Sequence, residues 1–141
     1  MTTKRLLISV RPKYAEMIFT GKKTVELRRV KPNLSIEDIV IVYVTSPIKQ
    51  VWGSFSVGNI ITLPVNDLWL NVKNDAGVSK KEFFDYFIGV DYGYGIVIKN
   101  ISSVFKPIDL NEIRKNWSGF NPPQSYRYLS HAELNLFYSF A

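Results

Sequence analysis

Gly21-Lys22-Lys23-Thr24-Val25-Glu26-Leu27-Arg28 decides how this chain is read, because its glycine separates a helical pattern from an alternating one. Glycine enters the left-handed backbone region freely and so ends helices. The strand that follows is expected over Lys23 to Val30, and side chains on a strand alternate between faces with period two. Thr24, Glu26 and Arg28 are therefore expected on one face, with Lys23 at the strand mouth. Two cations then flank one carboxylate. In a partly closed cleft Glu26 would hold Arg28 in a fixed orientation, and an oriented guanidinium offers a planar fork to a phosphate or a base edge. Lys23 would add a mobile point charge. The plainer alternative is a surface ion pair worth less than about 1 kcal/mol beside a solvated lysine.

Upstream of this stretch, Leu6, Ile8 and Val10 alternate with Leu7 and Ser9, which predicts a strand over Arg5–Val10. Pro12 suits the first turn of a helix, and Tyr14, Met17 and Ile18 fall on one face of it before Gly21 ends it. Arg11, Lys13, Arg28, Arg29 and Lys31 gather around this helix and the strand after it, the best candidate for a phosphate-facing surface.

Downstream, Asp38 to Thr45 is a nearly unbroken β-branched run that stops at Ser46-Pro47, and a hairpin into Gln50–Ile61 follows. Thr45 and Ser46 close that strand with hydroxyls and backbone groups free to bind a ligand, or simply form a turn. Gly53 and Gly58 predict bends or bulges, the devices by which a sheet curls toward a barrel. Asn66 to Val72 and Ser79 to Phe87 read as two helices, the second opened by the capping box Ser79-Lys80-Lys81-Glu82. Trp52 and Trp69 are expected to pack.

The sheet resumes at Tyr92–Ile101, with Tyr92, Tyr94, Ile96 and Ile98 on one face and Gly93 and Gly95 on the other. A helix is expected over Asp109 to Trp117, then Pro122-Pro123, a short strand through Gln124–Leu129, and a last helix capped by Ser130-His131-Ala132-Glu133. Tyr92, Tyr94, Tyr126 and Tyr128, with Arg127 between the last two, could stack on unpaired bases. For Tyr92 and Tyr94 a core position with the hydroxyl at the rim is the reading favoured here. The two glycines opposite them admit another backbone or a flat ligand, and a bulge explains them equally well.

At 141 residues the chain has the size of one domain, 1–141, and its 46% apolar and 21% charged residues predict a packed core. Cysteine is absent, which excludes disulfides, thiolate metal sites and cysteine nucleophiles. His131 is the single histidine, so no multi-histidine metal centre can form, and its capping-box position points to an exposed structural role rather than catalysis. No cofactor or metal is expected. A formal charge of +6 favours polyanionic partners. No apolar run approaches the roughly 18 residues of a membrane span, and a cytoplasmic location with no membrane partner is expected. Nothing here speaks to oligomeric state.

The segment Gly21–Arg28 fits G-x-K-x-x-E-x-R and resembles the signature of the ASCH family, relatives of the PUA domain. The order that follows is similar as well: a hydrophobic strand ending Thr45-Ser46-Pro47, a strand containing Trp52-Gly53, and a helical excursion. The closing Pro122-Pro123-Gln124-Ser125-Tyr126-Arg127-Tyr128-Leu129 resembles a subgroup described as predicted transcriptional regulators with PUA-like domains. The resemblance implies an α+β fold, a PUA-like (ASCH) mixed β-barrel flanked by helices, with a polar cationic cleft for RNA or a nucleotide-like ligand. Candidate ligand-binding residues are then Lys23, Glu26, Arg28, Arg11, Lys13, Arg29, Thr45, Ser46, Tyr94, Ser125, Tyr126 and Arg127.

The same resemblance supplies the alternatives. Some ASCH relatives resemble small amidohydrolases acting on acylated nucleosides, and others have been proposed as ribonucleases; Lys23 would then be the catalytic residue. Glu26 stands where those amidohydrolases tend to have a threonine, and Tyr92–Ile101 carries no carboxylate. A transcriptional coregulator acting through protein contacts is the third reading, and no helix-turn-helix is apparent. The expected function is therefore an RNA- or nucleotide-binding module, with nucleoside-directed hydrolysis or RNA cleavage second.

Overall fold

A computed structural model describes residues 3–138 apart from the side chains of Phe105 and Tyr138. The chain runs β1 (Arg5–Val10), α1 (Pro12–Phe19), β2 (Val25–Arg28), β3 (Ile39–Val44), β4 (Gln50–Pro64), α2 (Val65–Val72), α3 (Lys80–Tyr86), β5 (Tyr92–Asp109), α4 (Leu110–Asn116), β6 (Tyr126–Tyr128) and α5 (His131–Tyr138). The α+β class holds: one mixed sheet, ordered β2-β5-β4-β3-β1-β6, carries the helices.

Alternation along the strands divides the core. Leu6 and Ile8 of β1, Val40, Val42 and Val44 of β3, Phe55 and Val57 of β4, and Ile96 and Ile98 of β5 bury one face under Ala15 and Ile18 of α1. Leu7, Ile41 and Tyr43 point the other way and meet Ile113, Leu134 and Phe137 of α4 and α5. A third cluster forms where Val25 and Leu27 of β2 meet Leu68 and Val72 of α2, Phe83 of α3 and Phe87 just after it. β1 pairs with β3 in parallel, which needs a crossover, and α1 with the short β2 excursion supplies it.

β4 and β5 extend well past the expected limits, with β4 reaching Pro64 and β5 reaching Asp109. Such long strands must bend. Register shifts fall between Val51 and Gly53 and between Val57 and Asn59, so both glycines sit at irregularities as the pattern predicts. At Gly53, where φ is 154°, an added Cβ would lie 2.2 Å from the Ser102 carbonyl oxygen, a closeness only glycine permits. The curled sheet brings its two ends together: the Arg28 Nη1 at the end of β2 donates to the Ser125 hydroxyl just before β6 at 3.1 Å. This seam between first and last strand positions the candidate site.

Both capping boxes form as read. Ser79 Oγ accepts from the Glu82 amide and Glu82 Oε1 accepts from the Ser79 amide, and Ser130 and Glu133 repeat the arrangement. Trp69 packs against Phe83 and Phe84, and Trp52 edges onto Phe19, so both tryptophans are packing residues. Tyr92 departs from expectation. It is 53% exposed, because it opens β5 opposite Pro64, beyond the reach of the core. Gly93 is covered by the Leu68 and Phe87 side chains, so α2 and α3 occupy the space a ligand or second backbone would have used.

Candidate functional site

The strand after Gly21 begins later than its alternation suggests, at Val25, because Thr24 and Val25 donate their amides to the Asp75 carbonyl oxygen instead of to a strand partner. This bond to the segment after α2 pulls Lys23 inward. Its side chain is 2% exposed, Nζ donates to the Ala76 carbonyl oxygen at 2.5 Å, and Nζ stands 3.7 Å from Glu26 Oε1. The mobile, strand-mouth point charge expected of Lys23 is therefore replaced by a buried, fixed ammonium. Gly77 permits the close packing: its φ is +67°, and a Cβ there would meet the Met17 methyl carbon at 2.9 Å.

Glu26 and Arg28 share a face as period two requires, and Arg28 Nη2 lies 3.2 Å from Glu26 Oε2. One carboxylate is held between two cations, Lys23 on Oε1 and Arg28 on Oε2, with all three side chains at or below 13% exposure. Thr24 is exposed and takes no part. Burial pushes the Lys23 ammonium below its ordinary value, and the Glu26 charge acts in the opposite direction. Arg28 Nε is buried without a hydrogen-bond partner, while Nη1 and Nη2 each keep an N–H beyond those given to Ser125 and Glu26.

These residues line a concavity of about 600 Å³, walled by Ser9, Val10 and Arg11 at the end of β1, Tyr14 of α1, Glu26 to Arg28 of β2, residues of α3, and Gln124. That volume is in the range of small-ligand sites. Tyr14 donates its hydroxyl to Glu82 Oε2 at 2.9 Å, and its ring lies 5.5 Å from the Lys23 Nζ. Burial first, and then the bond to Glu82, raises the Tyr14 phenol above its usual value. Glu82 is depressed to about 2, chiefly by the Ser79 amide and then by Tyr14.

The ionisable lining consists of Arg11, Lys23 and Arg28 against Glu26, Glu82 and Asp85. Three cations meet three anions, so the cleft is charge-balanced rather than cationic. The cause is α3, whose acidic residues face the motif strand. Glu82 was legible as a cap but not as a wall of the site, since its capping role already accounts for it.

The other candidates divide. Arg11 lines the concavity, Ser125 touches it through Arg28, and Lys13 lies at the rim, 3.4 Å from Glu82 Oε2. Tyr94 stands opposite Arg28 in the β2–β5 register and is half-buried. Tyr126 packs on the core under α1. Arg29 points away and donates to the Tyr86 and Ile88 carbonyl oxygens, fastening the end of α3. Arg127 also faces the opposite side: it pairs with Glu133 at 2.5 Å and lies 4.8 Å over the Trp117 ring. Thr45 and Ser46 form the β3–β4 turn, where Thr45 donates its amide to Val10 and accepts from Ile48, and neither lines the concavity. His131 lies at the other end of β1, beside Arg5 and Tyr128. Among the described residues, no group of three or more His, Asp or Glu gathers to hold a metal ion, and no helix is long and apolar enough to cross a membrane.

A mixed sheet curled into a half-barrel, flanked by five helices and with G-x-K-x-x-E-x-R at its seam, defines a PUA-like domain. The ASCH domain model matches residues 8–124, and the chain belongs to the ASCH domain family. It is 32% identical over 130 residues to an ASCH domain-containing ribonuclease of Zymomonas mobilis, covering 92% of this chain and 87% of that protein. The crystal structure of ASCH from Zymomonas mobilis superposes with a TM-score of 0.90 at 32% identity, covering 96% of this chain and 94% of that one. The large ribosomal subunit protein uL22 of Ureaplasma parvum is 33% identical over 122 residues, which is 84% of this chain and 39% of that protein.

Proposed function

We propose that this chain, as one domain in the cytosol, binds RNA by taking one unpaired nucleotide into the concavity at the barrel seam. The observation that carries the reading is the buried Lys23–Glu26–Arg28 set lining a space of about 600 Å³ in a chain of net charge +6. A charge set held this rigidly is an oriented hydrogen-bonding surface, and specific RNA recognition acts mainly on splayed-out, unstacked bases. The balanced lining suits the base better than the phosphate, and the exposed Arg11 and Lys13 at the mouth suit the flanking backbone. Titrating labelled single-stranded and hairpin RNAs at low and physiological salt tests this. Tighter binding to unpaired RNA, weakening only modestly with salt, is expected; equal binding to duplex with a steep salt slope would mean that nothing beyond the general positive charge is at work.

A second reading, strand cleavage at the same place, is supported by the similarity to a protein named a ribonuclease. Cleavage without a metal uses the neighbouring 2′-hydroxyl as nucleophile and needs a base to take its proton. Lys23 is the candidate, since burial lowers its ammonium toward the range where an amine is useful as a base. With its own proton passed to Glu26, the neutral amine would take the 2′-hydroxyl proton as the 2′-oxygen bonds to phosphorus. The P–O bond to the 5′-oxygen would break with a proton taken up from water, leaving a cyclic phosphate and a 5′-hydroxyl. Incubation with an RNA and its 2′-O-methyl counterpart decides: cleavage of the first alone supports this reading, and an intact RNA removes it.

A further inference from the structure

We propose that Tyr86, the last residue of α3, is the surface on which the bound base stacks, an inference that rests on the RNA reading above. Three aromatic side chains line the concavity: Tyr14, Phe83 and Tyr86. Phe83 is fully buried among Trp69, Phe84 and Phe87 and offers a ligand nothing. Tyr14 is already engaged, its hydroxyl by Glu82 and its ring by the Lys13 and Lys23 ammonium groups, each 5.5 Å from the ring centre. Tyr86, by contrast, is 39% exposed. That exposure belongs to its ring. Arg29 Nη1 covers the Tyr86 carbonyl oxygen at 2.7 Å, and the hydroxyl donates to the Leu27 carbonyl oxygen at 3.3 Å. Among the described residues, the one ring that meets it is Phe87, at 4.9 Å and 76°, and an edge-to-face contact occupies at most one of its two faces.

The hydroxyl bond also fixes where the ring stands. β2 is an end strand and pairs with β5 along one side. The Thr24 carbonyl oxygen accepts from the Ile98 amide of β5, and carbonyls alternate in direction along a strand, so the Leu27 carbonyl, three residues on, points to the free edge. Tyr86 is thus clamped through its carbonyl and its hydroxyl, with the hydroxyl on the free edge of β2 at the residue between Glu26 and Arg28. Burial raises its phenol above the usual value, and the charges of Arg28 and Glu26 then act on it in opposite directions, as on a hydroxyl beside that pair. An aromatic ring held this firmly at the surface gives the core little and offers a flat ligand a face already in place, so little freedom is lost on binding. Nucleobases of every kind stack on such rings. Glu82 and Asp85 on the same helix disfavour a phosphate at this wall, which leaves the base as the part that meets Tyr86.

The test needs a base that keeps its hydrogen-bonding edge and cannot stack. Dihydrouridine is such a base: saturation of one ring bond puckers the ring and leaves both carbonyls and the N–H between them in place. Short oligouridine and its fully dihydrouridine counterpart are titrated at one salt concentration against the native chain, Tyr86→Phe and Tyr86→Leu, with folding checked by circular dichroism. The native chain and Tyr86→Phe, which keeps the ring, are expected to bind oligouridine about tenfold or more tightly than the dihydrouridine RNA, and Tyr86→Leu is expected to bind both alike. Equal binding of the two RNAs by the native chain, an arm that needs no variant, overturns the inference and leaves the RNA reading standing. A folded Tyr86→Leu protein that keeps the preference overturns it as well, since the stacking surface then lies elsewhere. So does a folded Tyr86→Phe protein that has lost it. Absence of native binding to either RNA overturns the RNA reading too.

Discussion

Lys23 Nζ stands 3.7 Å from Glu26 Oε1, with the two side chains 2% and 10% exposed. Neither charge has ready access to water, so each is the other's compensation, with Arg28 and the Ala76 carbonyl completing the set. Removing one partner of a buried pair strands the other, at a cost of about 3–5 kcal/mol, far above that of a surface pair. Glu26→Ala is therefore expected to lower stability by that amount in urea denaturation. A loss below about 1 kcal/mol would mean that the lysine relaxes into solvent and the pair is ornamental.

Helix α3 forms one wall of the concavity, and its start is fixed by the reciprocal Ser79–Glu82 bonds. Ser79→Ala should cost about 1 kcal/mol, the usual value of an N-cap, and should loosen the Tyr14–Glu82 contact with it. Hydrogen exchange resolved along the chain measures both, and faster exchange confined to α3 and the residues before it is expected. Unchanged exchange in α3 would contradict its dependence on the cap.

Acid should act on the same helix. Glu82 has a folded value of about 2 against an ordinary 4.5, so the unfolded chain binds the proton more readily. The stability this supplies is complete above about pH 4.5 and is lost as the pH falls toward 2. Thermal unfolding of the native chain and of Glu82→Gln should differ at neutral pH and converge by pH 2; a gap that stays constant over this range would assign the effect elsewhere.

At Gly53 the backbone of β5 lies so near that a Cβ would sit 2.2 Å from the Ser102 carbonyl oxygen and 2.9 Å from the Phe19 ring. Gly53→Ala must therefore push apart β4 and β5 at the bulge that curls the sheet. We expect a loss of several kcal/mol, on the order of an overpacked core, seen as a fall in melting temperature; Gly21→Ala, with nothing within 4 Å of the added atom, meets backbone strain alone and should lose less.

Much of this architecture was legible in the chain because local rules and tertiary needs agree. The alternation of Leu6 to Val10, the Pro12 helix start and the capping boxes at Ser79 and Ser130 are each set by neighbours a few residues away, and the irregularities at Gly53 and Gly58 are marked by the glycines themselves. The site was less legible. Lys23 looks solvated from its own surroundings, and what buries it is the carbonyl of Ala76, fifty-three residues on. Arg29 reads as part of a basic surface and Arg127 as set between two base-stacking tyrosines, yet the fold turns Arg29 onto the end of α3 and Arg127 onto Trp117, away from Arg28. Acidic residues of α3 cancel the expected positive field, and no short-range pattern reveals which strand a helix will face.

The central claim is that RNA is held in the seam concavity and not merely drawn to a positive protein. Arg28 lies inside that concavity and Arg127 on the opposite side of the sheet, and each carries one charge. Single-stranded RNA affinities of folded Arg28→Ala and Arg127→Ala, measured side by side at physiological salt, separate the two possibilities. The account predicts that Arg28→Ala weakens binding about tenfold or more, as loss of a charge-assisted hydrogen bond does, while Arg127→Ala changes it by less than about twofold. Equal losses from both substitutions would contradict it.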